Sequence, residues 1–301
     1  MRLAVSGGTG FVGSHLLDLA AAAGHQVRAL TRRPMPEREG VSWISGSLDR
    51  RDALEELVQG SDAVIHVAGV INPPDTQDFE RGNVEGTLAL LAAATATGTC
   101  RFVHVSSLAA REPAISLYGA SKARAEELVQ RSGLDWAIVR PPAVYGPGDR
   151  ETLDLFKMAR LGLVMLPPAG RLSLLHVDDL ARLLLALANP AVPSKIVFEP
   201  DDGHEGGWSH REFARALGEA TGRRPFAVPV PGSLLRIGAR ADRALRGPKA
   251  KLTPDRAAYF SHPDWVANPD LAVPGAIWGP SVATEQGLSD TAGWYRREGW
   301  L

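Results

Sequence analysis

The sequence predicts an α/β protein, a doubly wound parallel sheet with a smaller C-terminal cap domain. Three features point to it. A short apolar run enters a glycine-rich turn at Ser6–Gly13, and a helical pattern follows it. Apolar strand patterns then alternate with helical ones as far as Val139, the signature of parallel strands covered by helices on both faces. Beyond about residue 200 the alternation stops and proline and glycine become dense, so the C-terminal third reads as a more irregular cap.

The elements follow in order. Arg2 to Ser6 is a strand. Phe11 to Ala23 is a helix with Leu16, Leu17 and Ala20 at helical spacing and Gly24 as its stop. Gln26 to Leu30 and Val41 to Ile44 are strands, and Asp52 to Val58 is a short helix. Ala63 to Val67 has a buried-strand pattern. Asn83 to Thr97 is an Ala/Leu-rich helix ended by Gly98. Arg101 to Val105 is a strand, Tyr118 to Arg131 a helix stopped near Gly133, and Trp136 to Val139 a strand. Glu151 to Leu161 and Asp178 to Ala188 read as helices and Lys195 to Phe198 as a strand. Ser209-His-Arg-Glu212 has capping-box spacing and opens a helix to about Thr221, before Gly222. The expected division is a first domain of 1–150 plus about 174–200, with a cap of about 151–173 and 201–301.

Composition narrows the function classes. The 301 residues carry 33 Lys+Arg against 34 Asp+Glu, a net charge of −1, which gives no global attraction to nucleic acid or an acidic membrane. The single cysteine, Cys100, excludes an internal disulfide and a cysteine-based zinc site. No apolar run approaches the roughly 20 residues of a membrane span, and the N-terminus lacks a signal-peptide pattern. The expectation is a soluble cytoplasmic protein acting on a small molecule, without nucleic-acid, membrane or metal partners.

Ser6-Gly7-Gly8-Thr9-Gly10-Phe11-Val12-Gly13 is the sharpest local signal. Its glycines permit a tight turn and close backbone approach to a pyrophosphate, which the start of the following helix favours. An NAD site usually offers an acid about 20 residues further on. This chain has Thr31-Arg32-Arg33-Pro34 there, two guanidiniums suited to a 2′-phosphate. The expected cofactor is NADP(H) in preference to NAD(H). The competing reading makes Arg32 and Arg33 a solvated loop pair.

Tyr118-Gly-Ala-Ser-Lys122 places a phenol and an ammonium at i and i+4, on one face of a helix. A phenol ordinarily titrates near pH 10, and a neighbouring ammonium favours the phenolate. The pair can therefore exchange a proton with a carbonyl or alcohol oxygen. Upstream, the strand to Val105 ends in Ser106 and Ser107, where ligands of doubly wound sheets sit. Ser107 is the candidate to hold the reacting oxygen, with Ser106 its rival.

Together these motifs resemble the extended short-chain dehydrogenase/reductases with Rossmann folds, the NAD(P)-dependent epimerase/dehydratase and dihydroflavonol-reductase-like group. Seven segments recur in order over about the first 200 residues. They are Ser6–Gly13, Val64-Ile-His-Val-Ala-Gly69, Asn83-Val-Glu-Gly-Thr87, Val105-Ser-Ser107, Tyr118–Lys122, Arg140-Pro-Pro-Ala-Val-Tyr-Gly146 and His176-Val-Asp-Asp179. The segment Asp290–Trp300 is similar to the family's closing helix. The resemblance implies that Ser107, Tyr118 and Lys122 are the catalytic set, with Lys122 also binding nicotinamide ribose and Asn83 supporting the site. It implies cofactor contacts from Gly7, Thr9, Gly10, Phe11, Val12 and Gly13, from Ser47 and Leu48, from Val67, Ala68 and Gly69, and from Pro141 and Val144. A monomer or homodimer is implied as well.

Two departures matter. Ser47 stands where relatives often carry an Asp facing adenine. Leu108-Ala-Ala-Arg-Glu112 follows Ser107 where dehydratases show an acidic pair. The second departure moves the reading toward a reductase of a small carbonyl, with a nucleotide-sugar 4-epimerase or a non-catalytic NADPH-binding scaffold as alternatives. His66 and His104 read as satisfied core histidines, and Asp178 and Asp179 as an N-terminal helix cap. Arg171 reads equally as a substrate-phosphate ligand or a solvated loop residue. The tryptophans at 208, 265, 278, 294 and 300 read as cap-domain packing.

Overall fold

The computed structural model describes residues 1–99, 101–167, 170–247, 250 and 252–301; Cys100 lies outside the described residues. The chain divides into two compact units. The first comprises 1–140, 180–198 and 273–278, and the second 141–179, 199–272 and 279–301. The first break thus falls at Arg140/Pro141, earlier than the position near 150 expected from the sequence.

In the first half, β1 (Arg2–Ser6), α1 (Phe11–Ala22), β2 (Gln26–Thr31), β3 (Val41–Ser45), α2 (Arg51–Val58) and β4 (Ala63–His66) come first. A short α3 (Gln77–Phe79) then runs through a π-helical stretch, Glu80–Glu85, into α4 (Gly86–Thr97). After it come β5 (Arg101–Val105), α5 (Leu117–Arg131) and β6 (Asp135–Val139). The second half carries β7 (Ala143–Tyr145), α6 (Leu153–Arg160), β8 (Leu163–Leu166), β9 (Arg171–Leu172), β10 (Leu174–His176), α7 (Val177–Leu187) and β11 (Ile196–Phe198). It continues with β12 (Trp208–Ser209), α8 (His210–Thr221), β13 (Phe226–Pro229), α9 (Gly232–Arg246), α10 (Pro254–Ser261), β14 (Asp264–Trp265) and α11 (Thr284–Arg297).

The first unit is built on one seven-stranded sheet in the order β11-β6-β5-β4-β1-β2-β3, with every pairing parallel. β4 and β5 are buried along their whole length, and β1 is buried after Arg2. Such near-continuous burial follows when helices cover both faces, and it is why these strands read as unbroken apolar runs. One core layer packs Leu54, Leu57 and Val58 of α2 and Leu90, Leu91 and Ala94 of α4 onto Val64, Phe102 and Ile138. Strand order reverses at β1, which lies between β2 and β4, so a crevice opens at the carboxyl ends of β1 and β4.

The second unit has its own core, in which Phe156 meets Tyr295 edge-on with ring centroids 5.2 Å apart, beside Tyr145, Phe213 and Leu288. Small sheets surround it: β7 with β10, β9 with β12 and β14, and β8 with β13. Trp208 and Trp265 are buried, while Trp294 and Trp300 pack around Tyr295; Trp278, expected in the cap, is buried in the first unit. The capping box at Ser209 and Glu212 forms, and Gly222 closes α8 with φ +75°.

Three expectations need correction here. The irregular third contains a regular 15-residue helix, α9, whose periodicity the flanking glycines and prolines mask. Asp178 and Asp179 both fall in the first turn of α7, where acids favour the helix dipole, and Asp179 also has distant partners that the sequence does not mark. Its buried carboxylate accepts the backbone N–H groups of Ser281 and Val282, each at 3.1 Å, and the Ser281 hydroxyl at 2.8 Å. His104 is not satisfied: neither ring nitrogen has a hydrogen-bond partner among the described residues, although the side chain is buried. Arg171 resolves to neither reading, since it donates to the carbonyls of Gly206 and Gly207 and ties that loop.

Candidate active site

The turn after β1 is closed by backbone alone. Gly7 has φ +78°, and a Cβ there would lie 2.5 Å from the Ala68 nitrogen. A Cβ at Gly13 would lie 2.0 Å from the Gly7 carbonyl oxygen, so α1 can start against the turn only with glycine at that position. Gly10 N–H donates to Gly7 O at 3.0 Å. No side chain caps α1 and no acid occupies its first turn, which leaves its positive end available to an anion. A dinucleotide pyrophosphate fits this cradle of glycine backbone.

At the end of β2, Thr31 pins the loop by donating its hydroxyl to Arg33 O at 2.7 Å. Arg32 and Arg33 are exposed, and neither side chain hydrogen-bonds or ion-pairs with a described residue. Two unneutralised guanidiniums beside the glycine turn suit a phosphate monoester. Ser47 donates to Asp49 and so presents a carboxylate close by, which the sequence pattern alone does not reveal. Leu48 packs on the core and against Gly86.

The loop after β4 is held by Asn83. Its Oδ1 accepts Val70 N–H at 2.6 Å, and its Nδ2 donates to Val70 O at 3.0 Å and to Ser121 Oγ at 2.9 Å. One buried amide thus joins the Val67–Val70 loop to α5 beside Lys122. Asn83 lies in the π-helical stretch, a distortion frequent where a helix side chain is re-aimed at a functional site.

Tyr118 and Lys122 lie one turn apart on α5. Ser116 caps that helix by accepting Gly119 N–H at 3.0 Å. The Tyr118 ring is half-buried, 6.2 Å from the Phe79 ring. Lys122 is buried, and its Nζ donates to Val105 O at 3.0 Å. A Cβ at Gly69 would come within 2.9 Å of that Nζ, so the glycine makes room for the ammonium. Burial lowers the Lys122 pKa to about 8, partly opposed by Glu126 one turn further along. His66 is pushed down to about 3, by burial first and by the Lys122 charge second, and is neutral. Its Nδ1 pairs with Ser6 Oγ at 2.5 Å and its Nε2 with Thr87 Oγ1 at 2.9 Å.

The two serines after β5 have separate partners. Ser106 donates to Glu126 Oε1 at 2.5 Å. Glu126 is buried and receives a two-pronged pair from Arg140, at 2.9 Å from Nε and 2.6 Å from Nη2. Ser107 opens a short 3₁₀ turn, Leu108–Arg111, accepting Ala109 N–H at 3.2 Å. That turn packs directly on the start of α5, since a Cβ at Gly119 would lie 2.6 Å from Ala109 O. Val67, Ala68, Gly69, Asn83, Ser107, Tyr118 and Lys122 are thus assembled by the first unit. Pro141 and Val144 belong to the second, where Val144 pairs with Leu175.

Residues 3–198 match the profile of the NAD dependent epimerase/dehydratase family. The chain belongs to that family. It is 36% identical over 310 residues to a ceramide reductase of Caulobacter vibrioides, a match covering 99% of this chain and 96% of that one. It is 28% identical to the 4-hydroxy-2-methyl-3-oxo-4-farnesyl-3,4-dihydroquinoline-1-oxide ketoreductase of Stigmatella aurantiaca, over 96% and 95% of the two chains. Among solved structures, MoeE5 in complex with UDP-glucose and NAD superposes with a TM-score of 0.76 at 23% identity, over 99% of each chain, which shows the shared fold. The chain is an NAD(P)-dependent oxidoreductase of the extended short-chain dehydrogenase/reductase type. The described residues contain no helix long and apolar enough to cross a membrane and no cluster of His, Cys, Asp and Glu able to hold a metal ion.

Proposed function

We propose that this protein is an NADPH-dependent carbonyl reductase, reversible as an alcohol dehydrogenase, acting on a ketone carried by a long hydrocarbon chain. The observation that carries the reading is the Tyr118–Lys122 face of α5, with the Lys122 ammonium buried against Val105 O and Gly69. The substrate class draws support from two relatives, one named for ceramide and one for a farnesylated oxo compound.

Gly7, Thr9, Gly10, Phe11, Val12 and Gly13 would hold the pyrophosphate of the cofactor, and Arg32 and Arg33 its 2′-phosphate. Ser47 and Leu48 would border the adenine. Val67, Ala68, Gly69 and Lys122 of the first unit would hold the ribose and nicotinamide. Bound there, NADPH supplies the hydride. Tyr118 gives its phenolic proton to the carbonyl oxygen and Ser107 donates a hydrogen bond to that oxygen. The Lys122 charge favours the phenolate that remains, and Asn83 keeps the Val70 loop and α5 in register. Ser106 is committed to Glu126 and takes no part in holding the substrate oxygen.

Arg32→Ala tests the cofactor half of this reading. Loss of a charge-assisted contact to phosphate, about 1.5–3 kcal/mol, should weaken NADPH by roughly 10- to 100-fold and leave NADH nearly unchanged. Fluorescence titration with both cofactors reads this directly, and equal losses would remove the NADPH assignment.

A further inference from the structure

Helix α9, Gly232–Arg246, keeps little of its surface for its own unit. Ala239 is its one fully buried residue, while Leu234, Ile237 and Leu245 are 55%, 60% and 86% exposed. At helical spacing these three fall with Ala241 on one outward stripe. Arg236, Arg240 and Arg243, spaced i, i+4 and i+7, form a second stripe on the polar face, roughly 140° around the helix from the first. All three are exposed, and no described acidic side chain pairs with them. Asp242, the sole acid of the helix, is occupied with Leu252 N–H and Arg246.

The segment leading into α9 is also apolar and open. Phe226 and Val228 of β13 stand opposite Leu163 and Met165 of β8 in register, and all four are exposed. The net charge of −1 conceals this, because it averages four arginines and one aspartate of α9 into a balanced chain.

We propose that α9 is a membrane-surface docking helix that lies in the headgroup layer of an anionic phospholipid bilayer. An apolar stripe on one face with arginines on the polar face is the pattern such a helix carries. Leu234, Ile237 and Leu245 enter the acyl boundary, while the long arginine side chains of the polar face reach towards lipid phosphates. The arginine stripe favours this occupant over a purely apolar partner surface, since the positive row needs a layer of negative charge to meet it. Docking of this kind goes beyond the reductase reading and does not depend on it.

Co-sedimentation of the full-length protein with vesicles tests it. The protein should bind mixed phosphatidylcholine–phosphatidylglycerol vesicles, bind phosphatidylcholine alone weakly, and be released by high salt. R236Q/R240Q/R243Q should weaken binding to the anionic vesicles roughly 100-fold, at about fivefold per charge. I237S/L245S should weaken it at least about tenfold through loss of the apolar stripe. Both variants should melt like the wild type, their residues being exposed, and should turn over a water-soluble ketone with NADPH at the wild-type rate. Absence of wild-type binding to anionic vesicles would overturn the proposal, as would binding that survives both variants. So would a concentration-dependent dimer, seen by sedimentation velocity and abolished by I237S/L245S, in a protein that ignores vesicles. The vesicle experiment uses no substrate, so a failed reductase assay leaves its outcome unaffected.

Discussion

Tyr118→Phe should lower the turnover number for carbonyl reduction by roughly 10²- to 10⁴-fold while NADPH still binds. The substitution removes one oxygen from a half-buried ring beside Phe79, so the start of α5, its Ser116 cap and the Lys122 contact to Val105 stay in place. What is lost is the proton that the substrate oxygen receives. Rapid mixing should show cofactor binding with wild-type affinity and a slow chemical step. Undiminished turnover would remove Tyr118 from the reaction. The pH profile gives a second reading of the same face. Lys122 has a pKa lowered to about 8 by burial, so its positive charge is lost as pH rises through that value. Carbonyl reduction should therefore decline above about pH 8, and in Lys122→Arg any remaining activity should hold to higher pH, since a guanidinium keeps its charge. The linkage to stability has the opposite sign. Between about pH 8 and the ordinary lysine value of 10.5 the unfolded chain binds this proton more tightly, so this group alone favours the folded state increasingly as pH rises.

Arg140→Met should destabilise the protein by about 3–5 kcal/mol, because it strands the Glu126 carboxylate in a buried site. Glu126 has 4% and Arg140 18% of its side chain exposed, and the two form a two-pronged pair that also receives Ser106. The pair links α5 to the ends of β5 and β6. A melt of the variant should show the midpoint lowered by roughly 10 °C. The double variant Glu126→Leu with Arg140→Met should recover much of that loss, because replacing both charges leaves no uncompensated ion. A single variant as stable as the wild type would show that the pair bears no such load.

The fold is legible in the sequence because the strands of the first unit are buried on both faces, so β1, β4 and β5 stand out as short apolar runs between helical patterns. The glycine turn is legible for a steric reason: at Gly7 and Gly13 any side chain would strike backbone, so the pattern in the sequence is the shape of the turn. The Tyr118–Lys122 spacing can be placed on a helix face because α5 is regular there. What escapes depends on contacts between residues far apart in the chain. Nothing local marks Glu126 as the partner of Ser106 and Arg140, or Asp179 as the acceptor of Ser281 and Val282. His104 reads as satisfied because its strand is apolar, and only the packed structure shows both ring nitrogens lacking partners among the described residues. α9 escapes because glycines and prolines flank it and its apolar stripe faces outward instead of into a core.

The decisive measurement is a product balance. Purified protein is given NADPH and a long-chain ketone, and the NADPH consumed is compared with the alcohol formed. A reductase of the proposed kind forms one alcohol for each NADPH oxidised, starts free of tightly held nicotinamide, and loses the reaction in Tyr118→Phe. No alcohol and no NADPH consumption, from a protein that purifies with nicotinamide firmly bound and interconverts a nucleotide-sugar and its 4-epimer, would refute the reductase assignment.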